Sequence, residues 1–446
     1  MTTPICDFVR RYAKQNALRL HMPGHKGTGI LGIEAQDITE IEGADSLFEA
    51  NGIIRESERN ASLLFGADTY YSAEGSSQAI RAMLALAVRY AKANRKKPII
   101  AAARNAHKVF LSAAALLDFK INWLPITEQD SYLSCKPTKE SLTAFLQNCE
   151  ELPTALYVTS PDYLGNTADL AALAEVCHKF GVLLLVDNAH GAYLKFLSPS
   201  RHPIDLGADA CADSAHKTLS ALTGAAYLHV SPHAPIGFGN GVKEALALFS
   251  STSPSYLILQ SLDALNKTLA QGYADKLSDF IRFANQKKSL LEERGWQFCG
   301  DEPLKWTILA KACGYTGQEL AQALSKENIV CEFADTDHLV LMLTPSLGED
   351  GTDRLYRVLS SLPIYPALSE CPPKPTAHRA VCSVREAMLS PAEELPVEKA
   401  IGRILASPSV ACPPAVPILV CGEIIDNTAL EAFCYYGIKT CTVVKD

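Results

Sequence analysis

The sequence has few of the features that mark membrane, secreted or nucleic-acid-binding proteins. No apolar run in its 446 residues approaches the ~20 residues that a membrane-spanning helix needs. The first eleven residues carry charges where a secretory signal peptide needs an apolar core. Lys and Arg total 41 against 49 Asp and Glu, a net charge of −8, so the basic excess that binds nucleic acid or anionic membranes is missing. We expect a globular, cytoplasmic protein without a nucleic-acid or membrane partner.

Cysteine pairs are also missing. The 14 cysteines are scattered singly, without a Cys-x-x-Cys motif and without a spacing to histidines that is typical of a metal site. This pattern predicts reduced thiols rather than a disulfide framework, which agrees with a reducing compartment. We therefore expect no metal ion.

What the sequence does contain is an alternation of strand and helix patterns. From Thr69 to Val230 short apolar strands alternate with helices, which predicts an α/β fold with a mainly parallel sheet covered by helices on both faces. A long helical region, 256–294, is expected to end this unit. Strand, helix, strand, strand and helix patterns over 305–359 then predict a small α+β domain, and a proline-rich linker follows it. The expected division is 1–56, an N-terminal arm; 57–270, a large domain; 271–370, the small domain; and 371–446, a C-terminal α+β domain.

The segment 208–224 carries the first candidate catalytic group. A small-residue strand leads into a hydroxyl-rich loop containing Ser214, His216 and Lys217. A lysine flanked by small and hydroxyl residues beyond a buried strand loses solvation, so its pKa should fall and its amine should become nucleophilic. Schiff-base chemistry needs such an amine. Taken alone, the motif is more typical of an ordinary surface loop.

An acidic residue at the end of another strand gives this lysine a context. The apolar run 182–186 ends in Asp187, at the carboxyl edge where open α/β sheets bind ligands. The alternative is an aspartate that caps the next helix. A carboxylate beside a pyridine nitrogen keeps that ring protonated and makes it an electron sink. Lys217 and Asp187 together therefore predict a pyridoxal 5'-phosphate (PLP) site.

Four segments in order make the sequence similar to a known family. The blocks His21–Gly27, Val186–Gly191, Asp213–Leu219 and Thr252–Leu257 resemble the Orn/Lys/Arg decarboxylase family of fold type I PLP enzymes. The resemblance covers Leu20 to Ile425 and fits the short form without an N-terminal receiver-like domain. It implies an aspartate-aminotransferase-like large domain, decarboxylation of arginine, lysine or ornithine in polyamine-type metabolism, and a homodimer or higher homo-oligomer with shared active sites.

The resemblance also implies roles for individual residues. It makes Lys217, Asp187, His216 and His107 the catalytic set, with His107 stacked on the cofactor ring. It adds a phosphate-binding turn at a helix N-terminus, where backbone amides and hydroxyls can bind an anion. The same residues also suit an ordinary N-cap. In the family the Thr-Ser-Pro loop contacts the phosphate in the partner subunit's site, and arm residues line that site. The cofactor-binding set is Gly75, Ser76, Ser77, His107, Asp187, Ala189, His190, Ser214, His216, Lys217, Thr252 and Ser253, and the arm candidates are His25, Lys26 and Asp45.

Three positions depart from the family pattern. Glu74 stands where the family often has Asn, and we expect its carboxylate to point away from a phosphate. Asn188 and Tyr193 stand where the family often has Glu and His, which leaves the substrate open among the basic amino acids. An aminotransferase of the same fold and an inactive PLP-binding homologue remain alternatives. Production of CO2 rather than a keto acid separates the first from a decarboxylase, and a cofactor absorbance that shifts with substrate excludes the second.

Overall fold

The computed structural model describes residues 1–408, 411–412 and 416–445, with only the backbone for 411 and 412. Short 3-10 turns lie at Ala192–Phe196, Lys311–Cys313 and Val397–Lys399. The α-helices are α1 (Pro4–Lys14), α2 (Ile53–Phe65), α3 (Gly75–Ala93), α4 (Lys108–Leu117), α5 (Lys139–Gln147), α6 (Leu170–Lys179), α7 (Ala215–Thr218), α8 (Val242–Ala247), α9 (Tyr256–Leu269), α10 (Tyr273–Glu292), α11 (Gly317–Lys326), α12 (Gly348–Ser361), α13 (Val384–Leu389) and α14 (Asn427–Tyr435).

The β-strands alternate with these helices over the first half of the chain. They are β1 (Asp68–Ser72), β2 (Ile99–Ala102), β3 (Lys120–Trp123), β4 (Ala155–Thr159), β5 (Leu183–Asp187), β6 (Ala210–Asp213), β7 (Ala226–Val230), β8 (Phe298–Cys299), β9 (Lys305–Leu309), β10 (Phe333–Ala334), β11 (His338–Met342), β12 (Ala392–Pro396), β13 (Ala411–Cys412), β14 (Val416–Pro417) and β15 (Thr440–Val444). The chain divides into two compact units, 1–96 with 177–276 and 97–176 with 277–446.

The first unit contains β1, β7, β6 and β5, side by side in that order. β5 and β6 are parallel, with Asp187 opposite Ala212, whereas β7 runs antiparallel to both β6 and β1. Every residue of β5, β6 and β7 is buried, as expected for strands that are covered on both faces. Helix α3 packs on β6 and β7 through an almost continuous buried stretch from Gln78 to Val88.

The second unit contains three parallel strands in the order β4, β2, β3. It also contains an antiparallel sheet in the order β10, β11, β9, β8, and the antiparallel pair β12 and β15. An apolar cluster joins its later segments, with Phe333, Leu419 and Phe433 among the members. The order of elements over 305–359 is the predicted strand, helix, strand, strand and helix.

The structure confirms the α/β class and differs from the sequence-based elements at three places. The sequence pattern predicts a helix from Ser57 to Phe65, whereas α2 begins at Ile53. The helical region 256–294 is two helices, because the chain turns at Gly272 with φ +77°. Lys217 lies in the one-turn helix α7 rather than in a loop, with Ser214 at its N-cap position.

The described part of the chain also shows the state of its cysteines and the character of its helices. The thirteen cysteines described with side chains are free thiols. Among the helices of the described ranges, none is long and apolar enough to cross a membrane.

Candidate active site

Two neighbouring parallel strands place the acid and the lysine at one edge of the first unit. Asp187 is the last residue of β5, and the chain that leaves β6 passes through Ser214 into α7, which carries Lys217. The Asp187 side chain is buried, with the residue 3% exposed, and its Oδ1 accepts a hydrogen bond from the Ala189 amide at 3.2 Å. A carboxylate held at a strand end in this way can face a bound ring nitrogen.

The Lys217 amine lies against a second predicted residue. Its Nζ is 3.2 Å from Nε2 of His190, which is buried. An ammonium has donors only, so His190 accepts through Nε2 when Lys217 is protonated. The pair can therefore hold the lysine amine in one place and share a proton with it.

His216 faces a different group from its neighbour Lys217. Its Nδ1 is 3.0 Å from the carbonyl oxygen of Ala225, the residue before β7. A carbonyl oxygen only accepts, so the proton of the ring lies on Nδ1 and the bond fixes the imidazole orientation. The backbone amide of His216 donates to the same carbonyl at 3.2 Å.

The predicted phosphate turn lies at the N-terminus of the 19-residue helix α3. Gly75 has φ +74°, a left-handed conformation that favours glycine, and its amide donates to Gly224 at 2.7 Å. The Ser214 hydroxyl donates to Ser76 Oγ at 2.7 Å, which joins this turn to the segment that carries Lys217. Ser77 follows on the same turn. No atom lies within 4 Å of a Cβ built on Gly75, so there is open space beside the helix end.

Glu74 precedes this turn and is held by another loop. Its Oε1 accepts hydrogen bonds from the Ser251 amide and the Ser250 hydroxyl, both at 2.7 Å. Thr252 and Ser253 follow in that loop and are exposed. Glu74 therefore connects the N-terminus of α3 to the loop for which the resemblance implies a cross-subunit role.

The three arm candidates are held by local contacts. Asp45 accepts hydrogen bonds from backbone amides that lead into α2, among them Gly52 at 2.8 Å and Ile54 at 3.0 Å. Burial alone would raise the pKa of Asp45, but these amides lower it below its ordinary value. His25 bonds Asp37 at 3.2 Å, and the Lys26 ammonium donates to the His21 carbonyl at 2.6 Å.

His107 belongs to the second unit. It is the N-cap of α4, where its Nδ1 accepts from the Val109 amide at 3.1 Å. This bond fixes the ring at the start of α4, after the loop that follows β2. Its stacking on a cofactor stays a prediction.

A buried polar group behind the lysine segment was missed by sequence reasoning. Asn188, one of the departures from the family, donates from Nδ2 to Asp213 Oδ1 at 2.7 Å. His202 and His229 place Nε2 at 3.0 and 3.3 Å from Asp213 Oδ2. Burial alone would raise the pKa of Asp213, but the two imidazoles hold it below its ordinary value. The four residues are dispersed in the sequence, so no local motif could reveal the group. Tyr193, the other departure, is fully buried.

The donors of the first unit fit PLP. A lysine amine, a buried carboxylate at the adjacent strand end and hydroxyls beside a helix N-terminus match its aldehyde, its ring nitrogen and its phosphate in turn. Ala189 is small and buried beside Asp187, where a planar ring could pack. The fold and these groups together define the class of fold type I PLP enzymes.

Comparisons with known proteins identify the family. The major domain of Orn/Lys/Arg decarboxylases matches residues 3–305. An arginine decarboxylase of Bacillus subtilis is 30% identical over 457 residues, covering 95% of this chain and 91% of its own. An arginine decarboxylase of Halalkalibacterium halodurans is 30% identical, covering 96% and 92%. The chain belongs to the Orn/Lys/Arg decarboxylase family.

A solved structure agrees with this fold. The constitutive lysine decarboxylase of E. coli superposes with a TM-score of 0.76 at 18% identity, covering all of this chain and 82% of its own. Fold type I enzymes of other kinds, such as mouse CSAD, are similar over a smaller part, 69% of this chain at a TM-score of 0.53. The lysine decarboxylase thus matches a larger part of this chain than mouse CSAD does.

Proposed function

We propose that the protein is a PLP-dependent decarboxylase of a basic amino acid, with L-arginine as the first substrate to test. The observation that carries the proposal is the Lys217 amine at 3.2 Å from His190. Lys217 lies in α7, which follows β6, and the adjacent parallel strand β5 ends in buried Asp187. Arginine is favoured because near-full-length relatives about 30% identical are named arginine decarboxylases.

Lys217 and Asp187 have the central roles in this proposal. PLP, when bound, withdraws electrons from the Cα of an amino acid and so permits loss of the α-carboxylate as CO2. Lys217 would carry the cofactor through its amine and release it to the substrate amine, with His190 positioned to exchange a proton with Nζ. Asp187 would hold a proton at the ring nitrogen, because its buried negative charge favours the pyridinium form.

Residues around these two would fix the cofactor and the substrate. Gly75, Ser76 and Ser77 would offer amides and hydroxyls to the phosphate, reinforced by the dipole of α3. Ser214 orients Ser76 through their hydrogen bond. His216, held by Ala225, lies next to Lys217 in sequence and remains a candidate for phosphate contact or proton transfer.

Two further groups complete the proposed site. His107 would stack on the cofactor ring and Ala189 would pack under it. Thr252 and Ser253 would reach the phosphate of the partner subunit's site in a homodimer.

We propose that the enzyme acts in the cytoplasm, in polyamine-type metabolism.

The decisive experiment is product analysis with L-arginine, L-lysine and L-ornithine in separate incubations with PLP. We expect CO2 and the corresponding amine in equal amounts, with arginine giving the highest kcat/KM of the three. A keto acid in place of CO2 would make the protein an aminotransferase. No product from any of the three, with a cofactor absorbance that does not respond to them, would support an inactive homologue.

A further inference from the structure

A cluster of four buried side chains behind the lysine segment has the composition of a metal site. His202, Cys211, Asp213 and His229 each present one donor atom, and the four atoms lie within 4.8 Å of one another. All four residues are 0% exposed. The cluster is distinct from the proposed cofactor groups, because none of its members belongs to that set.

The distances suit a tetrahedral ion. His202 Nε2 and His229 Nε2 are 3.0 and 3.3 Å from Asp213 Oδ2, and the Cys211 sulfur is 3.9 Å from His202 Nε2. With Zn–N and Zn–O bonds of about 2.0–2.1 Å and Zn–S of about 2.3 Å, tetrahedral ligands are about 3.3–3.6 Å apart. Shifts of a few tenths of an ångström would bring these three pairs to that spacing, and the other donor pairs lie within 4.8 Å of each other.

The hydrogen bonds around His229 direct a lone pair into the cluster. Thr69 Oγ1 donates to the Ala67 carbonyl at 3.2 Å and lies 2.9 Å from His229 Nδ1. With its hydroxyl proton used in this way, Thr69 accepts from Nδ1–H, and the Nε2 lone pair then points at Asp213 Oδ2. Two acceptors that face each other need a cation between them, either a proton or a metal ion.

A single proton on an imidazole would also neutralise the carboxylate, so the use of all four donors, rather than charge balance, favours the metal ion. The cluster has one buried carboxylate, and a buried charge is costly unless it is compensated. A divalent ion bound by a thiolate, a carboxylate and two neutral imidazoles forms a neutral group and uses all four donors. In the hydrogen-bonded alternative the contacts of the Cys211 thiol with the cluster are long, with its sulfur 3.9 Å from Asp213 Oδ1 and from His202 Nε2.

We propose that His202, Cys211, Asp213 and His229 bind a structural Zn²⁺ ion. A closed set of four protein ligands with mixed sulfur and nitrogen donors is typical of a structural zinc site. Asn188 fixes the carboxylate by its bond to Oδ1 at 2.7 Å. The ion would anchor the end of β6, from which Ser214 and Lys217 follow, and it would enter during folding because the site is closed to solvent.

The test is metal analysis of the tag-free protein produced in zinc-supplemented medium and purified without chelators. We expect about one Zn²⁺ per chain, and an X-ray absorption spectrum with one sulfur at about 2.3 Å and nitrogen or oxygen at about 2.0–2.1 Å. Unfolding with a chelator and refolding without zinc should lower the melting temperature relative to refolding with it. Less than about a tenth of an equivalent, both as purified and after refolding with zinc, would overturn the proposal.

Variants locate the ion. Cys211→Ser should lose the sulfur signal and most of the zinc, whereas Cys177→Ser, at another fully buried cysteine of the same unit, should keep both. Thr69→Val removes the group that orients His229, and we expect zinc affinity to fall by about 10–100-fold. Unchanged zinc and an unchanged spectrum in Cys211→Ser would contradict the site. If that variant does not fold, the wild-type spectrum decides, since zinc without a sulfur neighbour would also contradict it.

Discussion

At the scale of single residues, Asp187 and Lys217 show what a sequence motif can predict. Asp187 ends an apolar strand, and Lys217 lies in the one-turn helix α7 that follows the adjacent parallel strand of small residues. Their chemistry follows from residue type and strand position. The contact of Lys217 with His190 could not be read from the sequence, because 27 positions separate the two residues and the link depends on how the segments fold.

The role of Asp187 can be tested by removing its charge. Asp187→Asn keeps the shape of the side chain, and we expect kcat to fall by on the order of 10² or more while the circular dichroism spectrum is unchanged. Asp205→Asn is the control, since Asp205 pairs with Lys195 at 2.6 Å outside the proposed site. A loss below about threefold in Asp187→Asn would assign the carboxylate another role.

Removal of one partner of a buried ion pair in the second unit should strongly destabilise the protein. Arg104 and Glu423 form two hydrogen bonds, at 2.7 and 2.9 Å, with side chains 9% and 5% exposed. Glu423→Ala leaves the guanidinium buried without its carboxylate, and we expect the free energy of unfolding in urea to fall by about 3–5 kcal/mol.

An exposed pair provides the matched control. Lys97 and Glu151 are 3.5 Å apart, with side chains 79% and 49% exposed. Glu151→Ala should change the free energy of unfolding by at most about 1 kcal/mol. Equal effects of Glu423→Ala and Glu151→Ala would show that burial does not set the cost.

At the scale of elements, helix and strand types were predicted better than their ends. The start of α2 at Ile53 has no capping side chain next to it in the sequence. The acceptor for its first amides is Asp45, eight positions before Ile53, so the sequence around Ile53 does not signal a helix start. The break between α9 and α10 depends on the left-handed conformation of Gly272. The helical pattern of the sequence runs through this position, so it did not predict the break. Such ends are decided by contacts and by backbone geometry rather than by periodicity.

The start of α14 carries a pH-dependent cap. Asp426 accepts from the Ala429 amide at 2.9 Å and from His378 Nδ1 at 3.0 Å. Burial alone would raise the pKa of Asp426, but these bonds lower it from 3.8 to about 2. The stabilisation is therefore present above pH 3.8 and is lost as the pH falls towards 2.

Two substitutions separate the cap from its charge. Asp426→Ala should lower the free energy of unfolding at pH 7 by about 0.5–2 kcal/mol, because the Ala429 amide loses its acceptor. Asp426→Asn keeps an acceptor and should lose mainly the acid dependence. Thermal melts of the three proteins from neutral to acid pH measure both effects, and identical acid profiles in wild type and Asp426→Asn would refute the role of this carboxylate.

At the scale of the whole molecule, the sequence predicted the α/β class and the family, while the dispersed groups escaped it. The four proposed zinc ligands lie at 202, 211, 213 and 229, without a spacing typical of a metal site. The expectation of no metal ion rested on sequence spacing, which does not show which distant residues folding brings together. The division into an arm, a large, a small and a C-terminal domain stays a prediction.

Sharing of active sites between two subunits is a proposal at this scale. Lys217→Ala removes the cofactor lysine, and Thr252→Glu would set a carboxylate against the phosphate of the partner subunit's site. In a mixed dimer with a two-fold axis, one site collects both defects and the other neither. After random reassembly of equal amounts we expect about a quarter of wild-type activity.

Mass spectrometry must first show that mixed dimers have formed. Each variant alone, taken through the same reassembly, is the control and should stay inactive. Mixed dimers without regained activity would mean that each site is built from one chain, and the assignment of Lys217 would be unaffected.

The measurement that tests the account most directly is to trap the cofactor on its lysine. Borohydride reduction of the PLP-loaded protein makes a bond between lysine and cofactor permanent, and peptide mass spectrometry then locates it. We predict a single modified residue, Lys217, with loss of the modification and of the visible cofactor absorbance in Lys217→Ala. A modification on a different lysine, or none in a protein that decarboxylates its substrate, would contradict the account.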